Sequence, residues 1–269
     1  MIGKSCYGND IKALKIGDAS AYCLIAAAFH GSERITSTVA LMFLENLCRA
    51  LEKDDYIAGL KARRAIVGRG VIIVPCVNPD GVQIAINGVD GAWKYAENVR
   101  KIAASSSEKW NANARGVDIN HNFDAGWTVL RNMEIEEGIV GPSPRRYGGY
   151  MPESEPETAT ITRLCRRVPV EMLITFHSQG EEIFYEYGKN TPEKALYIAK
   201  IFSALTDYTL VKNEGLYSSG GLKDWFIEEF SRPAFTVEIG KGKNPLPPTQ
   251  MMPIYAKLRE ILFTFPILF

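Results

Sequence analysis

Three histidines serve the whole 269-residue chain, and two of them stand where chemistry is easily done. His30 follows the apolar run AYCLIAAAF and precedes GSER; His177 ends EMLITF and precedes SQGEE. Each therefore sits where a strand finishes. In open α/β sheets ligands bind beyond the carboxyl ends of the strands. Glu33 comes three residues after His30, close enough in a turn for both side chains to reach one ion. Two imidazoles and one carboxylate, with a fourth position open, form the donor set of a catalytic zinc site, and no cluster of thiols suggests a closed structural one. One Zn2+ per chain is the expected cofactor.

The elements that must position these residues alternate between short apolar runs and helical patterns, so an α/β fold is expected. Strands are predicted over Ala21–Phe29, Val71–Val77, Met172–Phe176, Ile183–Tyr187 and Ala234–Ile239. Helices are predicted over Thr36–Lys53, Ser154–Arg167, Thr191–Thr206, Gly221–Phe230 and Pro248–Phe263. In Ser154–Thr158 the order Ser, Glu, Pro, Glu, Thr reads as a helix start, with Ser154 as cap and Glu157 closing a capping box. The stretch Asn78–Gly116, rich in Gly and Asn, reads as a long irregular excursion from the sheet. At this length one α/β domain over residues 1–269 is expected.

Composition excludes several classes. Lys plus Arg and Asp plus Glu both number 31, so there is no basic footprint for nucleic acid. No run of eighteen apolar residues is present, so no membrane span is expected. Five scattered cysteines without a CxxC pair, and a polar, glycine-containing start, point to reduced thiols and a cytoplasmic location.

Six ordered segments resemble the zinc carboxypeptidase family, to which the pancreatic carboxypeptidases belong. They are HGSE at 30–33, VPCVNPDGV at 74–82, GVDINHNFDAGW at 116–127, YGGYMPESEPET at 147–158, FHSQGE at 176–181, and GGLKDW at 220–225 followed by FTVEIG at 235–240. A lone HxxE says little, but six segments in order are specific. The resemblance implies a zinc carboxypeptidase-like fold with a twisted, mixed central sheet flanked by helices, a metallopeptidase activity, and metal ligands at His30, Glu33 and His177. Glu238 matches the general base, which moves the proton from water to the leaving amine. Asp118 matches the acid that orients the first histidine through its other ring nitrogen. Arg115 is the nearest counterpart of the arginine that stabilises the developing oxyanion. Asn120 matches a substrate-carboxylate contact, and Tyr217 the mobile tyrosine by the pocket. Where the family has Arg in NRNF, this chain has His121, which cannot fork onto a carboxylate.

The segments FHSQGEEIFYEYG and GGLKDWFI look closer to bacterial γ-D-glutamyl-(L)-meso-diaminopimelate peptidases than to digestive enzymes. Lys223, in the turn that floors the pocket, suits an anionic substrate group. The expected partner is thus a peptide or muropeptide, with a γ-D-glutamyl-diaminopimelate amide as the bond cut. An ordinary metallocarboxypeptidase, an aspartoacylase-type zinc amidohydrolase, and an inactive peptide-binding module are the alternatives.

Overall fold

A computed structural model describes residues 1–17, 19–57, 59–104, 109–212 and 220–269. Seven strands form the main sheet: β1 Leu14–Ile16, β2 Ala21–Ala26, β3 Arg69–Val74, β4 Val170–His177, β5 Glu182–Phe184, β6 Thr209–Val211 and β7 Ala234–Glu238. Their spatial order is β6-β5-β7-β4-β2-β3-β1. The central run β7-β4-β2-β3 is parallel throughout. β1 joins β3, and β5 joins β7, antiparallel, while β6 runs parallel to β5, so the sheet is mixed as expected.

Alternation along the strands divides the core in two. Cys23, Ile25, Val71, Ile73, Ile174, Phe176, Phe235 and Val237 face one side. There they meet Val39, Phe43 and Leu47 of α1 (Ile35–Lys53), Ala199 and Phe202 of α6 (Glu193–Thr206), and Leu258 and Ile261 of α8 (Met251–Thr264). Tyr22, Leu24, Ala26, Ile72, Val74 and Leu173 face the other side. Their partners are Ile161 and Cys165 of α5 (Pro156–Arg167) and Trp225 and Phe226 of α7 (Leu222–Phe230). A strand buried on both faces must be apolar at every position, which is why β2 and β3 read as continuous hydrophobic runs.

The excursion predicted over 78–116 carries more order than its composition suggests. It holds α2 (Pro79–Asn87), a 3-10 stretch at Gly88–Tyr95 and α3 (Ala96–Ala103). A further helix, α4, spans Trp127–Glu136. The strands β1 and β6 also went unread. At Ser154–Thr158 the capping box is corrected: the helix starts at Pro156, Glu155 occupies the cap without a side-chain cap bond, and Ser154 Oγ donates to Glu155 instead. Pro156 at the first helical position explains the later start, since its missing N–H costs nothing there. No helix among the described residues is long and apolar enough to cross a membrane.

Candidate metal centre and catalytic corner

β2 delivers the first ligand pair. After Ala26 the chain turns out of the sheet through Ala28, whose φ of 53° is unusual for a residue with a Cβ. Both of its polar groups are held: its N–H donates to Thr36 Oγ1, and its carbonyl accepts from Asn78 N. Asn78 Nδ2 in turn donates to the Phe29 carbonyl at 2.8 Å. The Gly31–Glu33 turn then packs against α2 so tightly that a Cβ on Gly31 would lie 2.3 Å from the Gly81 carbonyl oxygen. Only glycine allows this approach.

The result is convergence of three donors. His30 Nδ1 lies 2.9 Å from one Glu33 oxygen, and His177 Nδ1 lies 3.2 Å from the other. All three ligand atoms fall within 4.8 Å of one another. Two atoms each about 2.0–2.1 Å from a tetrahedral zinc ion stand roughly 3.3 Å apart. The spacing therefore fits such an ion. Ser178 N and Asn244 Nδ2 also donate to the Glu33 carboxylate, at 3.2 and 3.5 Å, fixing its plane.

Electrostatics prepare the ligands. Burial alone would lower the pKa of His30, but the carboxylates of Glu33 and Asp118 hold it well above 6.5. Burial would raise Glu33, yet His30 and His177 bring it down to about 2. Burial lowers His177, which keeps its ring in the neutral form a metal requires. Asp118 accepts from His30 Nε2 at 3.0 Å, so the outer nitrogen of the first ligand has a fixed partner. The same carboxylate takes Arg146 N at 3.0 Å and Asn120 N at 3.2 Å. Burial opposes its ionisation, but His30 and His121 hold it far below the usual carboxylate range.

Glu238 ends β7 directly opposite His177 on β4, and its other neighbour in register is Glu182 on β5. Adjacent strands stand about 4.8 Å apart, so Glu238 and His177 share one rim of the sheet. Burial pushes the half-buried Glu238 carboxyl well above its ordinary value, and the nearby charge of Glu33 adds to this.

Three other residues gather around the Gly220–Gly221 turn. A Cβ on Gly221 would meet Asn120 Oδ1 at 3.0 Å, and one on Gly220 would lie 3.6 Å from His121 Cα. Phe123 N donates to the Gly220 carbonyl, tying this turn to the Ile119–His121 turn. His121 is largely buried, with Nδ1 2.8 Å from Glu134 Oε1 and 3.1 Å from the Arg146 carbonyl. Lys223 stands just behind, but its ammonium is not open: it is buried, donates to the Glu186 carbonyl at 2.8 Å and pairs with Asp224.

Arg115 is elsewhere. Its side chain is half exposed and faces Glu155 at 3.6 Å, and no contact takes it to His30, Glu33, His177 or Glu238 among the described residues. Tyr217 lies outside the described residues. Sequence reading passed over Asn244, which bonds Ser178 and Glu33, and Glu134, which holds His121. An Asn-Pro pair at 244–245 was the only local signal for the first, and the second sits on a helix that was not read. A second group, Cys6, Asp80 and Glu157, ties the N-terminal segment to α2 and α5: Cys6 N donates to Glu157, and Tyr7 N and Ser5 Oγ donate to Asp80.

The family profile described as zinc carboxypeptidase matches residues 1–260. The γ-D-glutamyl-L-diamino acid endopeptidase 1 of Lysinibacillus sphaericus is 33% identical over 256 residues, covering 94% of this chain and 63% of that protein. Mast cell carboxypeptidase A of Homo sapiens is 24% identical, over 90% of this chain and 58% of that protein. The chain thus spans about three-fifths of the length of these two relatives. The crystal structure of a carboxypeptidase A from Helicoverpa armigera superposes with a TM-score of 0.72 at 20% identity, covering 99% of this chain and 67% of that one, which shows the fold. With the whole length to residue 260 matched and two histidines and a glutamate converging at the strand ends, the chain belongs to the zinc carboxypeptidase family.

Proposed function

We propose that this chain is a zinc-dependent metallopeptidase that hydrolyses an amide bond in peptidoglycan-derived peptides, the γ-D-glutamyl-diaminopimelate bond foremost. The observation that carries the reading is the placement of Glu238 one strand away from His177, beside a complete His30–Glu33–His177 donor set. The substrate class draws support from the endopeptidase that is 33% identical. All five cysteines are unpaired, which supports action in a reducing compartment such as the cytoplasm.

His30, Glu33 and His177 would hold the ion. When bound, zinc supplies a double positive charge that polarises the scissile carbonyl, acidifies the attacking water and favours the ionised form of Glu238. Glu238 accepts the proton of that water and returns it to the leaving amine. Asp118 holds the His30 ring in the tautomer that leaves Nδ1 to the metal. Asn120 and His121, at the Gly220–Gly221 turn, are assigned to a substrate carboxylate. Lys223 underlies the same corner, where its pairing with Asp224 moderates its charge. Arg115 points to Glu155, so an oxyanion role for it requires the side chain to turn.

Mass spectrometry of products tests this. Zinc-loaded protein is incubated with L-Ala-γ-D-Glu-meso-diaminopimelate, with and without D-Ala, beside ordinary peptides. Release of diaminopimelate or its D-Ala conjugate is expected, together with about one zinc per chain. Glu238→Gln should retain zinc and lose at least about a hundredfold in kcat. Cleavage confined to the ordinary C-terminal peptides would reject the substrate assignment. A drop in kcat of less than tenfold would reject Glu238 as base.

A further inference from the structure

The His121 ring is held by two acceptors, the Glu134 carboxylate and the Arg146 carbonyl, and of these only Glu134 is a charged side chain. Glu134, on α4, divides its carboxylate: Oε2 accepts from Arg131 Nη1 and from Gly148 N at 3.0 Å, while Oε1 is left to the His121 ring. Arg131 is itself fixed, bonded to the Ile139 carbonyl and lying 4.8 Å above the Tyr147 ring. A Cβ on Gly148 would come within 2.8 Å of the His121 carbonyl oxygen, so the loop carrying Gly148 closes directly onto this pair. Glu134 is among the most buried acids of the chain.

The ring chemistry follows from the partners. Nδ1 faces two acceptors, the Glu134 carboxylate and the Arg146 carbonyl, and so must carry a hydrogen in either protonation state. Nε2 takes no partner among the described residues. In the neutral ring Nε2 is a lone pair, which repels a carboxylate; in the cation it is a donor. The protonation state of one imidazole thus decides whether this corner attracts or rejects an acid.

We infer that Glu134 is a positioning residue for substrate recognition, holding His121 as an oriented cation whose Nε2–H meets a carboxylate of the substrate. The inference rests on the reading of this corner as the carboxylate site. Other charges that bear on the ring are Asp118 on its own turn, Arg131 on α4, Arg146 on the following loop, His30 at the metal centre, and the Lys223–Asp224 pair behind the Gly220–Gly221 turn. Burial opposes the cation, but Asp118 and Glu134 together outweigh it and raise the pKa above 6.5. A buried carboxylate thereby favours in a histidine the charge that arginine has unaided.

The test separates this inference from the activity. NMR titration of the zinc-loaded protein has one imidazole free to titrate, because the metal holds the other two. Its midpoint should lie above 6.5 in the parent and fall by at least one pH unit in Glu134→Gln. A parent midpoint at or below 6.5, or one unmoved by the substitution, overturns the inference without any assay. In kinetics, L-Ala-γ-D-Glu-meso-diaminopimelate is compared with the same tripeptide amidated at its diaminopimelate carboxylates. At pH 7.5 Glu134→Gln should raise KM at least tenfold for the acid, with kcat within twofold, and leave the amide unchanged. His121→Arg added to Glu134→Gln should recover the acid KM to within threefold of the parent. Equal KM changes on acid and amide would assign Glu134 to the fold alone. If neither peptide is cleaved, the substrate reading fails and the titration still decides the role of Glu134.

Discussion

Asp118 holds three groups at once: the outer nitrogen of His30 and the backbone N–H groups of Asn120 and Arg146. It therefore couples His30, the proposed first metal ligand, to the turn that carries Asn120 and His121. Asp118→Asn keeps the size and one acceptor but removes the charge. Zinc affinity should fall about 10- to 100-fold, the usual cost of losing a ligand's outer partner. Competition with a zinc-binding dye measures this, and affinity within threefold of the parent would show that Asp118 serves only the turn. At this scale the sequence was informative where side-chain type alone decides. A chain with three histidines has few ways to build a two-histidine site, and HGSE supplied the spacing. What stayed hidden depends on direction. The Lys223 ammonium suggests an open cation, yet burial beside Asp224 turns it inward, because an unpaired buried charge is costly. Glu134 gave no signal because its role exists only once α4 folds back over the Ile119–His121 turn.

Strand ends were legible and the segment between them less so. β2, β4 and β7 announce themselves as apolar runs, and their ends carry His30, His177 and Glu238. The sheet order β7-β4-β2 then sets Glu238, His177 and His30, the proposed base and ligands, side by side. By contrast, Asn78-Pro79-Asp80-Gly81 has the composition of a turn, and the same residues start α2. Asn78 caps the helix by accepting from Gly81 N, and Pro79 occupies its first position. Gly81 sits inside a helix because a Cβ there would lie 2.4 Å from both the Ala112 carbonyl oxygen and Asn78 Nδ2, and its own carbonyl is what a Cβ on Gly31 would strike. Gly31→Ala should push the ligand turn off α2, lowering stability by roughly 1–3 kcal/mol and zinc affinity at least tenfold. Gly141→Ala is the control, since nothing lies within 4 Å of its Cβ position and its φ is not positive. Denaturant unfolding and zinc competition read both, and equal behaviour of the two variants would contradict the packing argument.

For the whole molecule, two buried glutamates pull stability in opposite directions with pH. Glu33 falls from 4.5 to about 2 in the metal-free fold, because its histidine partners outweigh its burial. Its contribution is present above about 4.5 and is lost as pH falls toward 2. Glu157 is the reverse: burial, with the charges of Asp80 and Glu155, raises it from 4.5 to about 7. The folded chain holds a proton that the unfolded chain has released, so stability declines as pH climbs from about 4.5 through 7. By pH 8 the cost approaches about 3 kcal/mol. Glu157→Gln should therefore gain about 2–3 kcal/mol at pH 8 and little at pH 5, measured by urea unfolding. The same gain at both pH values would mean that the carboxyl does not titrate with folding.

The proposed metal donors are unevenly spread along the chain. His30 and Glu33 are three residues apart, whereas Glu33 and His177 are separated by 144. During synthesis the first pair leaves the ribosome as a weak two-point chelate, long before its partner exists. The third donor arrives only when β4 has slotted beside β2, the pairing that joins the two halves of the sheet. An ion bound at all three points is then a cross-link spanning more than half the polymer, which in chain-entropy terms restricts the unfolded ensemble as a long-range disulfide does. With His30, Glu33 and His177 holding the ion as proposed, zinc capture is a timestamp on folding, because full affinity exists only after the central strands have met.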